Sequence, residues 1–133
     1  AEAAAALDGH LLVIDDDEPM LRLAQLFLED AGFEVTAACG GHAALAAFQG
    51  ASQRFDGVVL DLSMPDVGGE RVLEEIRRQR PELPVIVMSG YAEDKARDRL
   101  GAGPHTSFLH KPFEPEELIE RLRSALGRGA PSS

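Results

Sequence analysis

The sequence predicts an α/β fold of the (βα)5 type, a doubly wound parallel sheet of five strands with helices on both faces. Val58-Val59-Leu60 and Val85-Ile86-Val87-Met88 are unbroken apolar runs, a pattern typical of strands that are covered on both faces. Short apolar segments also alternate along the chain with segments in which apolar residues recur every three or four positions. Alternation of this kind indicates a parallel sheet with right-handed crossover connections.

Five segments are predicted as strands because each is short, largely apolar and flanked by turn-forming residues. In chain order they are Leu11–Ile14, Glu34–Ala38, Gly57–Leu62, Pro84–Ser89 and Ser107–Lys111. A helical segment follows each of them, so the order of elements is strand then helix, five times.

Four of the helices are predicted from one apolar stripe each. The stripes are Met20, Leu23, Ala24, Phe27, Leu28 and Ala31; Ala44, Leu45 and Phe48; Val72, Leu73 and Ile76; and Leu118, Ile119, Leu122, Ala125 and Leu126. The expected helix ends are Gly32, Gly50, Pro81 and Gly127. The segment Ala92–Leu100 has few apolar residues, so we expect a fourth helix there that is weakly held and mobile.

The length of 133 residues and the apolar content of 44% fit one domain with a sizeable core. We assign residues 9–127 to that domain, residues 1–8 to an Ala-rich linker and residues 128–133 to a flexible tail. The first residues lack the basic leader of a signal peptide. No apolar run reaches the length of a membrane span, about 18–20 residues.

The chain is strongly acidic, with 23 acidic and 13 basic residues and a net charge of −10. This charge disfavours contact of the domain with nucleic acid or with an anionic membrane surface. Cys39 is the only cysteine, so no disulfide can form within the chain, which fits a cytoplasmic location.

Polar and charged residues stand at the carboxyl ends of four predicted strands. Asp15 and Asp16 follow the first strand, Asp61 lies in the third, Ser89 ends the fourth and Lys111 ends the fifth. Ligands bind at the carboxyl ends of the strands in such sheets. We therefore expect three carboxylates, one hydroxyl and one ammonium to share a shallow pocket. Asp17 and Glu18 need a different explanation, because either could cap the helix that begins near Pro19.

Three carboxylates in one pocket repel one another unless a cation compensates them. Mg²⁺ is usually held by one or two carboxylates together with phosphate oxygens and water. One carboxylate would then be available to attack phosphorus and form an aspartyl-phosphate. The metal ion, the lysine and the hydroxyl would stabilise the charge of the transferred phosphoryl group.

Each of these residues also has an ordinary explanation when it is taken alone. Asp15 and Asp16 could lie in a solvated loop, and Lys111 could be a surface lysine. Ser89 could cap a helix. The ordered set at four strand ends is what favours a reactive site.

The span from about Gly9 to Leu126 resembles the receiver domain of two-component response regulators, the CheY-like superfamily. The matching residues are Asp15-Asp16; Asp61 with Met64-Pro65 and Gly69; Ser89-Gly90; and Lys111-Pro112-Phe113. The separations between Asp16, Asp61, Ser89 and Lys111 are 45, 28 and 22 residues. The resemblance implies a flavodoxin-like sheet with the strand order 2-1-3-4-5. One departure is Gly68-Gly69, because many relatives carry an acid before that glycine.

The resemblance also implies a role for each residue of the pocket. Asp61 is the phosphoacceptor, and Lys111 pairs with the phosphoryl oxygens. Asp16, Asp61 and the backbone carbonyl of Ser63 bind Mg²⁺, while Asp15 acts mainly through a water molecule on the metal.

Other residues are implied to control the response. Ser89 moves inward to donate a hydrogen bond once Asp61 is modified. Phe108 occupies the position of the switch aromatic, and it turns inward to reshape the face made by the fourth helix, fifth strand and fifth helix. A plain core phenylalanine is the alternative for Phe108. Ser63 and Tyr91 tune the rate at which the phosphoryl group hydrolyses.

The partner implied by the resemblance is the phosphohistidine domain of a sensor histidine kinase, in the same chain or another, with a histidine phosphotransfer protein as a further partner. The domain is expected to be a monomer or weak dimer. It is expected to act mainly as a signalling switch that slowly dephosphorylates itself. The segments Val87–Tyr91 and Ser107–Phe113 resemble the corresponding segments of receivers at the C-terminus of hybrid sensor histidine kinases. A stand-alone regulator also fits.

Two other functions stay open on the residues. A Mg²⁺-dependent phosphatase would also work through an aspartyl-phosphate, although Ser63 stands where such hydrolases usually carry a second acid. A degenerate receiver would act only as a docking module, although the intact set of Asp15, Asp16, Asp61, Ser89 and Lys111 argues against it.

Overall fold

The fold was analysed in a computed structural model, which describes residues 9–51, 54–62, 68–90, 103 and 105–126. Within them, five parallel strands form one sheet in the order β2-β1-β3-β4-β5. The strands are β1 (His10–Asp15), β2 (Glu34–Cys39), β3 (Gly57–Asp61), β4 (Val85–Ser89) and β5 (Thr106–His110). The predicted fold class and strand order are confirmed, and each predicted strand matches an observed one with ends that differ by at most one residue.

The helices that the structure describes are α1 (Glu18–Asp30), α2 (Gly41–Ala51), α3 (Gly69–Gln79) and a final helix, Pro115–Ala125. The predicted helix at Ala92–Leu100, the linker at residues 1–8 and the tail at residues 128–133 lie outside the described residues. No helix among the described residues is long and apolar enough to cross a membrane.

The sheet is covered on both faces, because successive residues of a strand point to opposite sides. One face packs against α2 and α3 in a cluster that includes Ile14, Leu60, Val87 and Phe108. The other face packs against α1 and the final helix in a cluster that includes Val13, Val59, Ile86 and Leu109. Every residue of β3 and β4 is buried. These continuous apolar runs are therefore explained by burial on two sides.

The buried stripe predicted for α1 is wrong at its N-terminal end. Met20 and Leu23 are 51% and 53% exposed, whereas Leu21 and Leu28 are buried. The rest of the predicted stripe is right, because Leu28 is buried and Ala24, Phe27 and Ala31 pack against the same cluster. Leu21 also fits the helical spacing, so periodicity alone could not place the edge of the buried face. The packing of α1 against the sheet turns the face that carries Leu21 and Leu28 inward and leaves Met20 and Leu23 at the surface.

The start of α1 gives a structural role to Asp17, which directly follows Asp15 and Asp16 in the sequence. Asp17 is the N-cap of the helix, and its side chain accepts a hydrogen bond of 3.3 Å from the backbone N–H of Met20. Pro19 lies in the first turn, where its missing N–H costs no helical hydrogen bond. The capping role predicted for Asp17 is confirmed.

Arg77 of α3 braces the end of the sheet opposite the predicted pocket. Its half-buried guanidinium donates hydrogen bonds to the carbonyl oxygens of Leu83, at 2.7 Å, and His105, at 2.9 Å. It also donates to the hydroxyl of Thr106 at 2.7 Å. Burial lowers the pKa of Arg77 from its ordinary value. The side chain thus joins the end of α3 to the beginnings of β4 and β5, and the apolar periodicity of α3 gave no sign of it.

Gly69 permits α3 to begin close to the end of β3. A Cβ atom at this position would lie 2.8 Å from the Cα of Leu62 and 3.1 Å from the carbonyl oxygen of Asp61. Real Cβ atoms do not approach backbone so closely, so any larger residue would push α3 away from the strand that carries Asp61. Gly69 therefore supports the site through close packing.

We predict that Gly69→Ala lowers the free energy of unfolding by about 1–3 kcal/mol, because the added methyl group overpacks a rigid backbone contact. Denaturant unfolding followed by circular dichroism measures this. The control is Gly50→Ala in α2, whose Cβ would meet nothing within 4 Å and should raise stability by up to about 1 kcal/mol. Equal midpoints for Gly69→Ala and the parent would contradict the close-packing argument.

Candidate phosphoryl-transfer and metal site

Three carboxylates meet at the carboxyl ends of β1 and β3. Asp15 ends β1 and is 6% exposed, Asp61 ends β3 and is 3% exposed, and Asp16 lies one residue beyond β1 at the surface. One carboxylate oxygen from each lies within 4.8 Å of the other two. The two strands are direct neighbours in the sheet, so the strand order itself brings these acids together, as the sequence predicted.

Lys111 supplies positive charge to this cluster from two strands away. Its Nζ lies 3.1 Å from Oδ1 of Asp61, and the two side chains are 35% and 4% exposed. Lys111 follows β5, and β4 lies between β5 and β3. The lysine therefore reaches across the end of β4, where Ser89 lies buried with 2% exposure. The structure thus brings together all five residues that the sequence placed in the pocket.

Burial and the neighbouring acid control the protonation of Asp15. Its pKa is raised from 3.8 to about 6, first by burial and then by the charge and hydrogen bonding of Asp61. A hydrogen bond of 2.9 Å from the N–H of Asp17 to Oδ1 of Asp15 acts in the opposite direction. Burial is thus the main reason why the pKa of Asp15 is raised, and the negative charge of Asp61 adds to it.

The chemistry of the donor set fits a small hard cation. The available ligand atoms are carboxylate oxygens, which Mg²⁺ prefers. Because these oxygens lie within 4.8 Å of one another, they can bind one such ion after little movement. The carboxylates of Asp15, Asp16 and Asp61 are the residues that would hold it. A bound dication would also remove the repulsion that raises the pKa of Asp15.

The structure tests the remaining predicted residues unevenly. Ser63 and Tyr91 lie outside the described residues. Phe108 is 2% exposed and belongs to the cluster between the sheet, α2 and α3. Its ring is thus already inside the protein, as the alternative of a core phenylalanine expected, and its movement stays a prediction.

Two neighbours of the pocket were not expected from the sequence. The thiol of Cys39 lies 3.6 Å from the backbone oxygen of Asp16, because β2 pairs with β1 so that Cys39 stands beside Asp15. Desolvation raises the pKa of Cys39, and the negative charges of Glu18 and Asp16 add to that effect. The second neighbour is His110, whose ring contacts Gly90 at the end of β4. Both depend on strand pairing, so no local sequence signal marks them.

An apolar groove runs beside the pocket between α1 and the final helix. Its volume is about 330 Å³, and its lining includes Met20, Leu23, Phe27, Phe113 and Pro115. Asp15 and Lys111 also line it, so the groove is continuous with the charged site. The exposed residues that contradicted the predicted stripe of α1 therefore lie where the site opens to the surface.

These features define a class of protein: a doubly wound α/β domain with an acidic, lysine-bearing pocket at the carboxyl ends of its parallel strands. Residues 11–123 match the model of the response regulator receiver domain family. The chain belongs to this family, and the resemblance found in the sequence is confirmed.

Named relatives agree with this assignment. The probable transcriptional regulatory protein TcrX of Mycobacterium tuberculosis is 36% identical over 120 residues, which are 89% of this chain and 50% of TcrX. The response regulator TrrA of Thermotoga maritima, solved in complex with Mg(2+)-BeF, superposes with a TM-score of 0.75 at 28% identity, covering 87% of this chain and 97% of TrrA. The receiver domain of the hybrid histidine kinase CckA superposes with a TM-score of 0.76 at 27% identity, covering 89% of this chain and 99% of the CckA domain.

We predict that the contribution of Asp15 to the stability of the metal-free protein falls as the pH rises from about 4 to about 6. The unfolded chain releases the Asp15 proton near 3.8 and the native protein near 6. The native state therefore binds more protons in this interval, and its advantage is lost as the pH rises. Asp15→Asn has no such proton to lose, so it should gain about 1–2 kcal/mol over the parent between pH 4 and 7.

Denaturant unfolding in the presence of a chelator measures this difference at each pH. Near pH 3 the carboxyl group is protonated in both states, so the gap between Asp15→Asn and the parent should be smallest there. Parallel pH profiles for the two proteins would show that Asp15 has the same pKa in the native and unfolded states.

Proposed function

We propose that the domain is the phosphoacceptor of a two-component phosphorelay, in which Asp61 takes a phosphoryl group from a phosphohistidine of a sensor histidine kinase. The observation that carries the proposal is the placement of Asp61, which is 3% exposed, within a cluster of three carboxylates and paired with Lys111 at 3.1 Å. Membership of the receiver domain family supports it.

The proposed transfer forms a bond between a carboxylate oxygen of Asp61 and phosphorus and breaks the bond between phosphorus and the histidine nitrogen. Lys111 offsets the negative charge that gathers on the phosphoryl oxygens, and Ser89 donates a hydrogen bond to one of them. Asp16, Asp61 and the backbone carbonyl of Ser63 would hold a Mg²⁺ ion, with Asp15 acting mainly through a water molecule on the metal, and the ion would supply further charge neutralisation. The related TrrA, solved in complex with Mg(2+)-BeF, supports magnesium here.

The surface beside the site suits a protein as the phosphoryl donor. Met20 and Leu23, which line the apolar groove, expose 51% and 53% of their surface on α1. Large apolar side chains gathered beside a groove mark interaction sites on proteins. A donor that packs on this surface would place its phosphohistidine at the mouth of the pocket, whereas a small phosphomonoester would make no use of it. This favours the phosphorelay over the phosphatase.

The proposed response starts at Ser89 and ends on the surface around β5. Ser89 approaches the phosphoryl group, and Phe108 transmits the change to the face of the fourth helix, fifth strand and fifth helix. Because Phe108 is buried already, we propose that its ring changes its packing partners within the core. Ser63 and Tyr91 are proposed to set the lifetime of the aspartyl-phosphate.

The chain spans about half the length of the curated relatives that it matches, so the output that the domain controls is a separate proposal. We propose a place at the C-terminus of a hybrid sensor histidine kinase in the cytoplasm, with residues 1–8 as its linker and residues 128–133 as its tail. The likeness to the CckA receiver supports this, whereas TcrX favours a transcriptional regulator. Sequencing the reading frame on both sides of the chain decides between them.

We predict that the parent protein gains the mass of one phosphoryl group when it is incubated with acetyl phosphate and Mg²⁺, and that Asp61→Asn gains none. The amide of asparagine lacks the nucleophilic oxygen that attacks phosphorus. Intact-mass spectrometry measures both proteins side by side. The matched control is Asp17→Asn, because asparagine caps a helix as well as aspartate does and this exposed acid should not be needed for uptake.

Equal incorporation by Asp61→Asn and the parent would refute the assignment of Asp61. A parent protein that gains no mass at any Mg²⁺ concentration would favour the degenerate receiver. Sustained turnover of ordinary phosphomonoesters would favour the phosphatase.

We predict that Asp16→Asn raises the concentration of Mg²⁺ needed for half-saturation by at least about tenfold, which corresponds to about 1.4 kcal/mol of binding free energy. The substitution removes one charged oxygen ligand from the cluster. Amide chemical shifts recorded during titration with magnesium chloride measure the affinity. The control is Asp30→Asn at the far end of α1, which should bind Mg²⁺ like the parent. Equal affinity for Asp16→Asn would remove Asp16 from the metal site.

A further inference from the structure

The ends of β4 and β5 are joined by one contact that no proposed role explains. Nε2 of His110 lies 3.1 Å from the backbone carbonyl oxygen of Gly90. Both residues are at the surface, so the contact is not a by-product of core packing. It lies one residue beyond Ser89 and one residue before Lys111, the two residues that are proposed to contact the phosphoryl group.

Among the described residues, the backbone pairing of these two strands ends next to this contact. Ser89 stands opposite His110 in the ladder, and the N–H of Lys111 donates a hydrogen bond of 2.7 Å to the carbonyl oxygen of Ser89. Gly90 then continues without a side chain, and a Cβ atom there would meet nothing within 4 Å. Glycine has the greatest backbone freedom of all residues, so packing does little to fix the direction in which the chain leaves β4.

We infer that His110 is a positioning residue for phosphoryl transfer, which holds the backbone carbonyl group of Gly90, next to Ser89, in place relative to Lys111. The histidine ring extends the ladder by one hydrogen bond made by a side chain. It thereby limits the movement of Ser89, whose hydroxyl must lie near the phosphoryl group when Lys111 does. The expected effect of His110 on the rate of phosphoryl uptake rests on the proposed function. The hydrogen bond between His110 and Gly90 does not depend on it.

The direction of the hydrogen bond follows from its partners. The carbonyl oxygen of Gly90 can only accept, so the ring donates from Nε2, and the neutral ring carries its proton on that nitrogen. The two amide side chains then differ as replacements. The amide nitrogen of glutamine extends about as far as Nε2 of histidine, whereas that of asparagine stops near Nδ1 and falls short of Gly90.

The test compares His110→Ala, His110→Asn and His110→Gln with the parent in the full chain. We expect His110→Ala and His110→Asn to slow uptake from acetyl phosphate by about two- to tenfold, the range set by one ordinary hydrogen bond. The Mg²⁺ concentration for half-saturation should stay unchanged, because His110 is no part of the carboxylate cluster. His110→Gln should restore most of the rate. His105→Ala, at the opposite end of β5, is the matched control and should react like the parent.

Nuclear magnetic resonance gives a readout that does not depend on phosphoryl transfer. The parent should show the neutral His110 ring with its proton on Nε2, and the carbonyl carbon shift of Gly90 should move in His110→Ala but return in His110→Gln. If the parent takes up no phosphoryl group, the proposed function fails, and these two signals still decide the contact.

Parental uptake by His110→Ala would overturn the positioning role. Failure of His110→Gln to improve on His110→Ala would overturn it as well. A neutral ring protonated on Nδ1 would show that the hydrogen bond to Gly90 does not form.

Discussion

The site depends on the ion pair between Lys111 and Asp61. Parallel pairing forces the carboxylates of Asp15, Asp16 and Asp61 to within 4.8 Å of one another, which is unfavourable without compensation. The ammonium of Lys111, 3.1 Å from the buried carboxylate of Asp61, supplies part of it. The charge of Lys111 also acts to lower the pKa of Asp15, but burial and the charge of Asp61 outweigh it. A dication is the natural complement of the charge that remains, so the resting site already favours the metal that phosphoryl transfer would need.

That ion pair exists because the sheet is a rigid frame. β4 lies between the strands that carry Lys111 and Asp61, so the distance between these two side chains is set by the spacing of three paired strands. Gly69 lets α3 start against the backbone of Asp61 and Leu62, and Arg77 fastens the far ends of β4 and β5. Residues distant from the pocket thus keep its charged groups in register.

The surface around the pocket divides into two kinds. On one side the groove between α1 and the final helix is apolar and exposes Met20 and Leu23, which suits a protein donor. On the other side the end of β4 is held by backbone pairing and by His110. The first side would select the partner, and the second would set the geometry in which Ser89 and Lys111 meet the phosphoryl group. A receiver needs both sides, because transfer requires the correct partner and the correct placement of the groups that contact the phosphoryl group.

Periodicity and strand-end residues were enough to predict the fold class, the limits of each observed strand to within about a residue and the five residues of the pocket. They were enough because a sheet covered on both faces requires continuous apolar strands, and because parallel strands present their carboxyl ends at one edge. The family resemblance then added the roles of single residues.

Tertiary structure alone decided the rest. On α1, packing against the sheet buries Leu21, which the predicted stripe lacked, and leaves Met20 and Leu23 exposed. Three features depend on residues that are distant in the chain. They are the raised pKa of Asp15, the contact of Cys39 with Asp16 and the contact of His110 with Gly90. Local sequence patterns describe what each segment can do by itself, whereas these features arise from charges and backbone groups that come together only when the strands pair.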